Sequence, residues 1–192
     1  MNEISVYLIM FNLIQSMVYN KNNVFFLYKS LEFFNSIFYF NHLLEGIEIS
    51  IIWLKILQLK KLNILFVGTT SDINLFVKKQ AIRCNCFYIN RPWIAGTLTN
   101  WHVMNKFIRR NYIKYSEGFI RMHKLPDLVI IINPDYEIDA VRECHKLKIP
   151  TLTIKNKKYF DPNLMLPGSN GIDFIEILLP IISNTILDIK NK

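Results

Sequence analysis

The chain has 192 residues, of which 51% are hydrophobic, enough to bury a sizeable core in one domain with an extension. The net charge of +8 points to an anionic partner, either a nucleic acid or an acidic membrane surface. The cysteines, Cys84, Cys86 and Cys144, lack the number and spacing of a disulfide framework or a zinc site, which indicates a reducing compartment.

Amino-acid usage is skewed towards residues with A/T-rich codons. There are 30 Ile, 20 Asn and 17 Lys, against 3 Ala and 6 Arg. This indicates an A/T-rich genome, such as that of an organelle or a parasite, and it says nothing about mechanism.

The N-terminal region is apolar and almost uncharged. Residues 4–20 carry no charge, and residues 22–44 carry only Lys29 and Glu32. The first run is short for a membrane-spanning helix, and it lacks the marks of a secretory signal or a transit peptide. We interpret residues 1–34 as an arm that docks on neighbouring proteins. The alternative is a membrane anchor formed by residues 4–18.

From residue 35 the pattern alternates between strand and helix. Strands are predicted at residues 37–40, 63–67, 87–89, 128–132 and 151–154, and helices at 48–61, 71–84, 136–147 and 172–189. Pro180 should bend or break the last helix. Residues 161–162 and 166–168 predict turns. This order predicts an α/β domain over residues 35–192, with an open parallel sheet and helices on both faces.

The first candidate site is the loop at residues 68–72, where a glycine separates a strand from a helix. Free backbone amides at such a place bind anions. The loop lacks the Gly-Lys-Ser/Thr ending of a Walker motif and any Gly-x-Gly-x-x-Gly. We therefore favour a tight turn in which Ser71 or Asp72 caps the helix, and keep a nucleotide-binding protein as the alternative function.

The most distinctive stretch is residues 90–101, which contains two of the three tryptophans. Arg91 is suited to pairing with phosphate. Trp93 and Trp101 either stack on bases or pack the loop onto the sheet. Packing is favoured for Trp101, because a helix begins there.

A basic run follows. Lys106, Arg109, Arg110 and Lys114 fall at i, i+3, i+4 and i+8 on one helical face. Arg121 and Lys124 follow, and only Glu117 opposes these charges. Such a face neutralises phosphates without reading base sequence, so it favours an RNA contact over an ordinary solvated helix.

No catalytic constellation stands out. The four histidines are scattered, and there is no Gly-x-Ser-x-Gly elbow, metal-ligand pair or paired-carboxylate pattern. We predict no enzyme activity, no metal and no cofactor.

Several strings occur in the order found in one protein family. They are Ile64 to Thr69, then Phe87 to Trp93, the string Gly96-Thr97-Leu98-Thr99-Asn100-Trp101, Leu125-Pro126-Asp127, Asn133-Pro134, Ala140 to Glu143, and Leu147 to Pro150. Over roughly residues 38–187 the chain resembles the S-two family of small-subunit ribosomal proteins. It departs from the family pattern at Lys148, where glycine is usual, and at Ala95, where a glycine pair is usual.

The resemblance implies a Rossmann-like (flavodoxin-like) parallel sheet with an inserted helical hairpin, bound to small-subunit ribosomal RNA at the head–body junction, without catalysis. The insertion in this chain, residues 101–125, is shorter than in bacterial relatives, which predicts a shortened or single-helix form. The expected partners are small-subunit rRNA and neighbouring ribosomal proteins, with no small-molecule substrate and no stable homo-oligomer. The expected location is the mitochondrion, with a plastid as the alternative. The predicted RNA-binding residues are Arg91, Trp93, Thr97, Thr99, Asn100, Lys106, Arg109, Arg110, Lys114, Arg121 and Lys124.

Overall fold

The structure is a computed structural model that describes residues 44–45, 47–56, 62–111, 117–154, 164–166 and 172–191. The chain divides into two compact units, residues 1–44 and 45–192, and all described residues except Leu44 belong to the second. The predicted strand at residues 37–40 and the predicted boundary at residues 34–35 lie outside the described residues. Both stay predictions.

Five strands form one parallel sheet in the order β2-β1-β3-β4-β5. They are β1 (Ile64–Val67), β2 (Phe87–Ile89), β3 (Leu128–Ile132), β4 (Thr151–Ile154) and β5 (Leu164–Leu166). Strands β1 to β4 correspond to the strands predicted at residues 63–67, 87–89, 128–132 and 151–154, which are confirmed. The parallel α/β class is confirmed as well. The sequence missed β5, because three apolar residues followed by Pro167 and Gly168 have the pattern of a turn and are too short to show a period.

The central strands are buried on both sides, which explains their uninterrupted apolar runs. In β1, the side chains of Ile64 and Phe66 pack in one core cluster, and those of Leu65 and Val67 pack in another. The strand β3 alternates in the same way, with Ile130 in the first cluster and Val129 in the second. The sheet therefore separates two apolar layers.

Helices cover both layers, as predicted. They are α1 (residues 47–56), α2 (Asn74–Arg83), α3 (Trp101–Asn111), α4 (Ile138–Leu147) and α5 (Ile172–Asn191). Helices α1, α2 and α5 contribute Leu54, Val77 and Leu179 to the first cluster. Helices α3 and α4 contribute Trp101 and Ala140 to the second. No helix in the described ranges is long and apolar enough to cross a membrane, and residues 4–18 lie outside those ranges.

Two local predictions differ from the structure. Helix α2 begins later than predicted, with Ile73 at its N-cap and no capping side chain. The Ser71 hydroxyl donates to Asp72 Oδ1 at 2.8 Å. Helix α5 continues through Pro180, so the break that was one of the two predicted outcomes is absent, and the bend stays a prediction. Leu178, Leu179 and Ile182 are buried on either side of this proline, so packing holds the helix where a backbone hydrogen bond is lost.

The outer edge of β2 is covered by a turn at residues 117–121. The Tyr88 N–H donates to the Gly118 carbonyl at 3.0 Å, and the Lys78 ammonium pairs with Glu117 at 2.9 Å. A Cβ on Gly118 would lie 2.1 Å from the Tyr88 carbonyl oxygen, so no other residue fits there without a shift of backbone. Residues 101–125 are the predicted insertion, and in its described part the structure contains one helix, α3, and this turn.

Candidate nucleic-acid interface

The strand order reverses between β1 and β3, which is the place where open parallel sheets usually bind ligands. The loop after β1 contains Gly68 and Thr69. The loop after β3 contains Asn133, with a left-handed backbone (φ 60°), and ends at the buried Glu137. An anion that binds at this place, between the ends of β1 and β3, would have to fit between these two loops.

A carboxylate of the chain itself binds the amide of the first loop. The Thr69 N–H and the Thr69 hydroxyl both donate to Glu137 Oε1, at 2.8 and 2.6 Å. The Gly68 N–H donates to the Ile89 carbonyl at 3.1 Å. Burial raises the pKa of Glu137, and the bonds from Thr69 oppose that rise. A phosphate at this loop would have to displace Glu137, which argues against the nucleotide-binding alternative.

Residues 90–100, called the signature loop from this point on, enclose a second carboxylate, that of Glu143 on α4. Its Oε1 accepts the Trp93 indole N–H at 2.9 Å and the Gly96 N–H at 2.7 Å. Its Oε2 accepts the Leu98 N–H at 2.8 Å, and the Thr99 N–H and hydroxyl at 2.9 and 3.2 Å. Five donors from one loop thus converge on one side chain.

The environment of Glu143 favours its ionised form. Burial alone would raise the pKa of Glu143, but the hydrogen bonds from Thr99, Trp93, Leu98 and Gly96 together hold it below its usual value. Gly96 allows the loop to close, because its φ of +87° is one that other residues adopt only with strain. These donors, which together form the Glu143 cradle, hold the signature loop to α4.

Sequence reasoning matched Glu143 to the family pattern but gave it no role. A signal was present, because Ala140 and Cys144 are apolar at i−3 and i+1 and place Glu143 on the buried side of the helix. A carboxylate on an apolar face needs donors. The sequence alone does not say which loop supplies them.

The predicted residues of the signature loop divide into internal and exposed groups. Trp101, just after the loop, is buried against Phe119 with ring centroids 6.2 Å apart, which confirms its packing role. Trp93 is half-buried, and the Thr97 hydroxyl donates to the Ile94 carbonyl at 2.5 Å. Arg91, Thr99 and Asn100 are exposed.

The basic residues divide in a similar way. Lys106 and Arg121 are exposed, and no ion pair among the described residues involves them or Arg91. Lys124 is paired with Asp127 at 3.0 Å. Arg109 and Arg110 lie on α3, where only their backbone is described, and Lys114 lies outside the described residues. The RNA-binding role of the eleven residues stays a prediction.

The segments that carry these cations pack together over one face of the sheet. Leu98 of the signature loop, Trp101 of α3, and Phe119 and Met122 of the turn belong to the same core cluster as Val67. Arg91, Lys106 and Arg121 are therefore exposed residues of segments that belong to one layer of the domain. In the part of the chain that the structure describes, no group of three or more His, Cys, Asp or Glu could hold a metal ion.

These features define a flavodoxin-like α/β protein. The carboxylate of Glu137 occupies the loop after β1, and the layer that contains α3 carries exposed cations. A family model described as ribosomal protein S2 matches residues 15–115 and 103–166, and the chain belongs to this family.

Named relatives agree. The small ribosomal subunit protein uS2c of Galdieria sulphuraria is 36% identical over 128 residues, covering 53% of this chain and 55% of the relative. That of Emiliania huxleyi is 29% identical over 166 residues, covering 69% and 72%. Protein uS2 of Buchnera aphidicola is 29% identical over 173 residues, covering 72% and 75%. The chain thus spans between about half and three quarters of the length of these relatives.

Proposed function

We propose that this protein is a structural constituent of the small subunit of an organellar ribosome. In this role it binds small-subunit rRNA and has no enzyme activity. The proposal rests on family membership, because the relatives that this chain matches are named as small ribosomal subunit proteins. The net charge of +8 suits a polyanionic partner.

The RNA contact is assigned to the exposed cations of the layer around α3. Arg91, Lys106 and Arg121 supply phosphate contacts, and Arg109, Arg110, Lys114 and Lys124 extend the same basic run along the chain. The exposed Asn100 supplies a polar side chain at the end of the signature loop. Thr99 is also exposed, but its hydroxyl donates to Glu143, so it contacts RNA only as a hydrogen-bond acceptor. Glu143 holds Trp93 directly, and it holds the backbone on either side of Thr97 through the amides of Gly96 and Leu98. This surface therefore keeps one shape, which reduces the ordering cost of binding.

The location is proposed to be the mitochondrion, with a plastid as the alternative. The A/T-type amino-acid usage supports an organellar genome. The uS2c relatives are plastid proteins and others are bacterial, so similarity supports an organellar or bacterial-type ribosome without choosing the organelle.

The first test is sedimentation of the tagged chain from purified mitochondria and, separately, from plastids. Lysates are run on sucrose gradients with magnesium, and again with EDTA and high salt. We expect the chain to migrate with the small subunit in magnesium and to follow it when EDTA separates the subunits. Protein found only at the top of the gradient, or in membranes regardless of EDTA, would refute the ribosomal role.

The second test compares two double charge reversals of equal size. Arg91→Glu with Lys106→Glu changes the proposed surface. Lys55→Glu with Lys79→Glu changes exposed lysines on α1 and α2, which cover the opposite face of the sheet. We expect the first variant to lose affinity for small-subunit rRNA by about tenfold or more at moderate salt, with a shallower salt dependence, because phosphate contacts release counterions. Equal losses in both variants would show that only net charge matters and would refute the assigned surface.

A further inference from the structure

Two cysteines and a lysine meet where the end of α2 contacts the end of α5. The Lys190 ammonium donates to the Cys84 carbonyl at 3.0 Å, to the Asn85 carbonyl at 2.9 Å and to Cys86 Sγ at 3.3 Å. A lysine ammonium has three N–H donors, so all three are engaged at this point. The positive charge is therefore held in place beside the sulfur of Cys86.

The end of α2 explains why this arrangement forms. Asn85 takes a left-handed backbone (φ 50°), and the Cys86 N–H donates back to the Ala81 carbonyl at 2.9 Å. The chain thus turns sharply after Cys84 and leaves two carbonyls at the negative end of the helix. A cation is favoured at that end, and Lys190 supplies it.

The three cysteines of the chain differ in access and in charge. Cys84 and Cys144 are buried, whereas Cys86 is partly exposed. A hydrogen bond with Cys84, together with the Lys190 ammonium, lowers the pKa of Cys86, against burial that raises it. The same hydrogen bond and burial raise the pKa of Cys84, and burial raises that of Cys144 to about 12. The thiolate is the nucleophilic form of cysteine, so Cys86 is the thiol that combines reactivity with access.

We propose that Cys86 is a site of covalent modification by hydrogen peroxide, and that Lys190 is the positioning residue that keeps its sulfur reactive. The Cys86 thiolate attacks one peroxide oxygen, an S–O bond forms, and the O–O bond breaks. The leaving hydroxide takes up a proton and becomes water. The sulfur is oxidised by two electrons to a sulfenic acid, and the peroxide is reduced.

The test uses the purified full-length chain treated with hydrogen peroxide and dimedone at pH 7, with adducts located by mass spectrometry. We expect the adduct on Cys86 to form faster than on Cys84 or Cys144. Lys190→Met should slow it several-fold, because removing the ammonium beside the sulfur lowers the fraction of Cys86 that is thiolate. Lys146→Met, at an exposed lysine on α4, is the matched control and should leave the rate unchanged.

A second measurement decides the matter if Lys190→Met fails to fold, which circular dichroism would reveal. The rate of iodoacetamide alkylation of Cys86 is followed against pH in the native chain and in the chain unfolded in urea. The titratable groups that face Cys86 are Cys84 from the end of α2 and Lys190 from α5. We expect the native midpoint to lie at lower pH than the unfolded one. A native midpoint at or above the unfolded one, or an unchanged rate in a folded Lys190→Met variant, would overturn the proposal.

Discussion

The indole N–H of Trp93 lies 2.9 Å from Oε1 of Glu143, a residue 50 positions further along the chain. This bond joins the signature loop to the buried side of α4. Both oxygens of Glu143 accept at least two hydrogen bonds from the loop, so the carboxylate is fully used. The strings that carry the family resemblance thus build a carboxylate cradle, in addition to any surface that they present to RNA.

Glu143→Gln should destabilise the protein by about 3 kcal/mol, because the new amide NH₂ would face backbone N–H donors on one side and leave them unsatisfied. The free energy of unfolding in urea measures this change. Glu176→Gln on the exposed side of α5 is the matched control and should change stability by less than about 0.5 kcal/mol. Equal, small effects of both substitutions would show that the cradle contributes little.

The contribution of Glu143 should depend on pH with a defined sign. Its pKa in the folded protein lies below the ordinary 4.5, so its stabilising effect is present above pH 4.5 and is lost as the pH falls through the folded pKa. The gap in unfolding free energy between wild type and Glu143→Gln should therefore narrow on acidification below pH 4.5. A constant gap between pH 7 and pH 3 would contradict this assignment.

Glu137→Gln should behave in the opposite way. Both bonds from Thr69 end on Oε1, so the oxygen of a glutamine replaces that acceptor without burying a charge. The raised pKa means that wild type loses stability relative to this variant as the pH rises from 4.5 through the folded pKa. At pH 7 the variant should equal or exceed wild type, as thermal unfolding would show. A loss of about 3 kcal/mol, like that expected for Glu143→Gln, would be inconsistent with this reasoning.

Gly118→Ala should destabilise the protein by about 3 kcal/mol or displace the turn from β2, since the added Cβ collides with the Tyr88 carbonyl. Gly96→Ala is a useful comparison, because its Cβ meets nothing closer than 3.6 Å and only the backbone strain of φ +87° remains. That strain is worth about 1–2 kcal/mol. Urea unfolding would rank the two variants, and a larger loss at Gly96 than at Gly118 would contradict the expected order.

Lys148→Gly should stabilise the protein by about 1 kcal/mol. Lys148 has a left-handed backbone (φ 56°), and the Ile149 N–H donates to the Cys144 carbonyl, so α4 ends in a motif that favours glycine. Lys146→Gly lies two residues earlier inside the helix and should cost about 1 kcal/mol. Opposite signs in thermal unfolding are the expected outcome. A loss of stability in both variants would show that the glycine usual in the family serves another purpose.

The sequence alone determined the parallel α/β class, four of the five strands and the family. Buried parallel strands such as β3 are continuous apolar runs, and helices such as α4 have a local apolar period, so both signals lie within ten or so residues of chain. The strand β5 was not predicted, because three residues are too few to show a periodic pattern of apolar side chains.

The tertiary structure decided what the loops do. The donors to Glu143 lie 44 to 50 residues away from it in sequence, and Thr69 lies 68 residues from Glu137. Residues so far apart meet only because parallel strands carry their following loops to one edge of the sheet. Gly118 against Tyr88 and Lys190 against Cys86 are also contacts between residues far apart in sequence, and no local pattern indicates them. Local sequence patterns specify the helices and strands. Long-range packing determines which carboxylate, glycine or lysine contacts each loop.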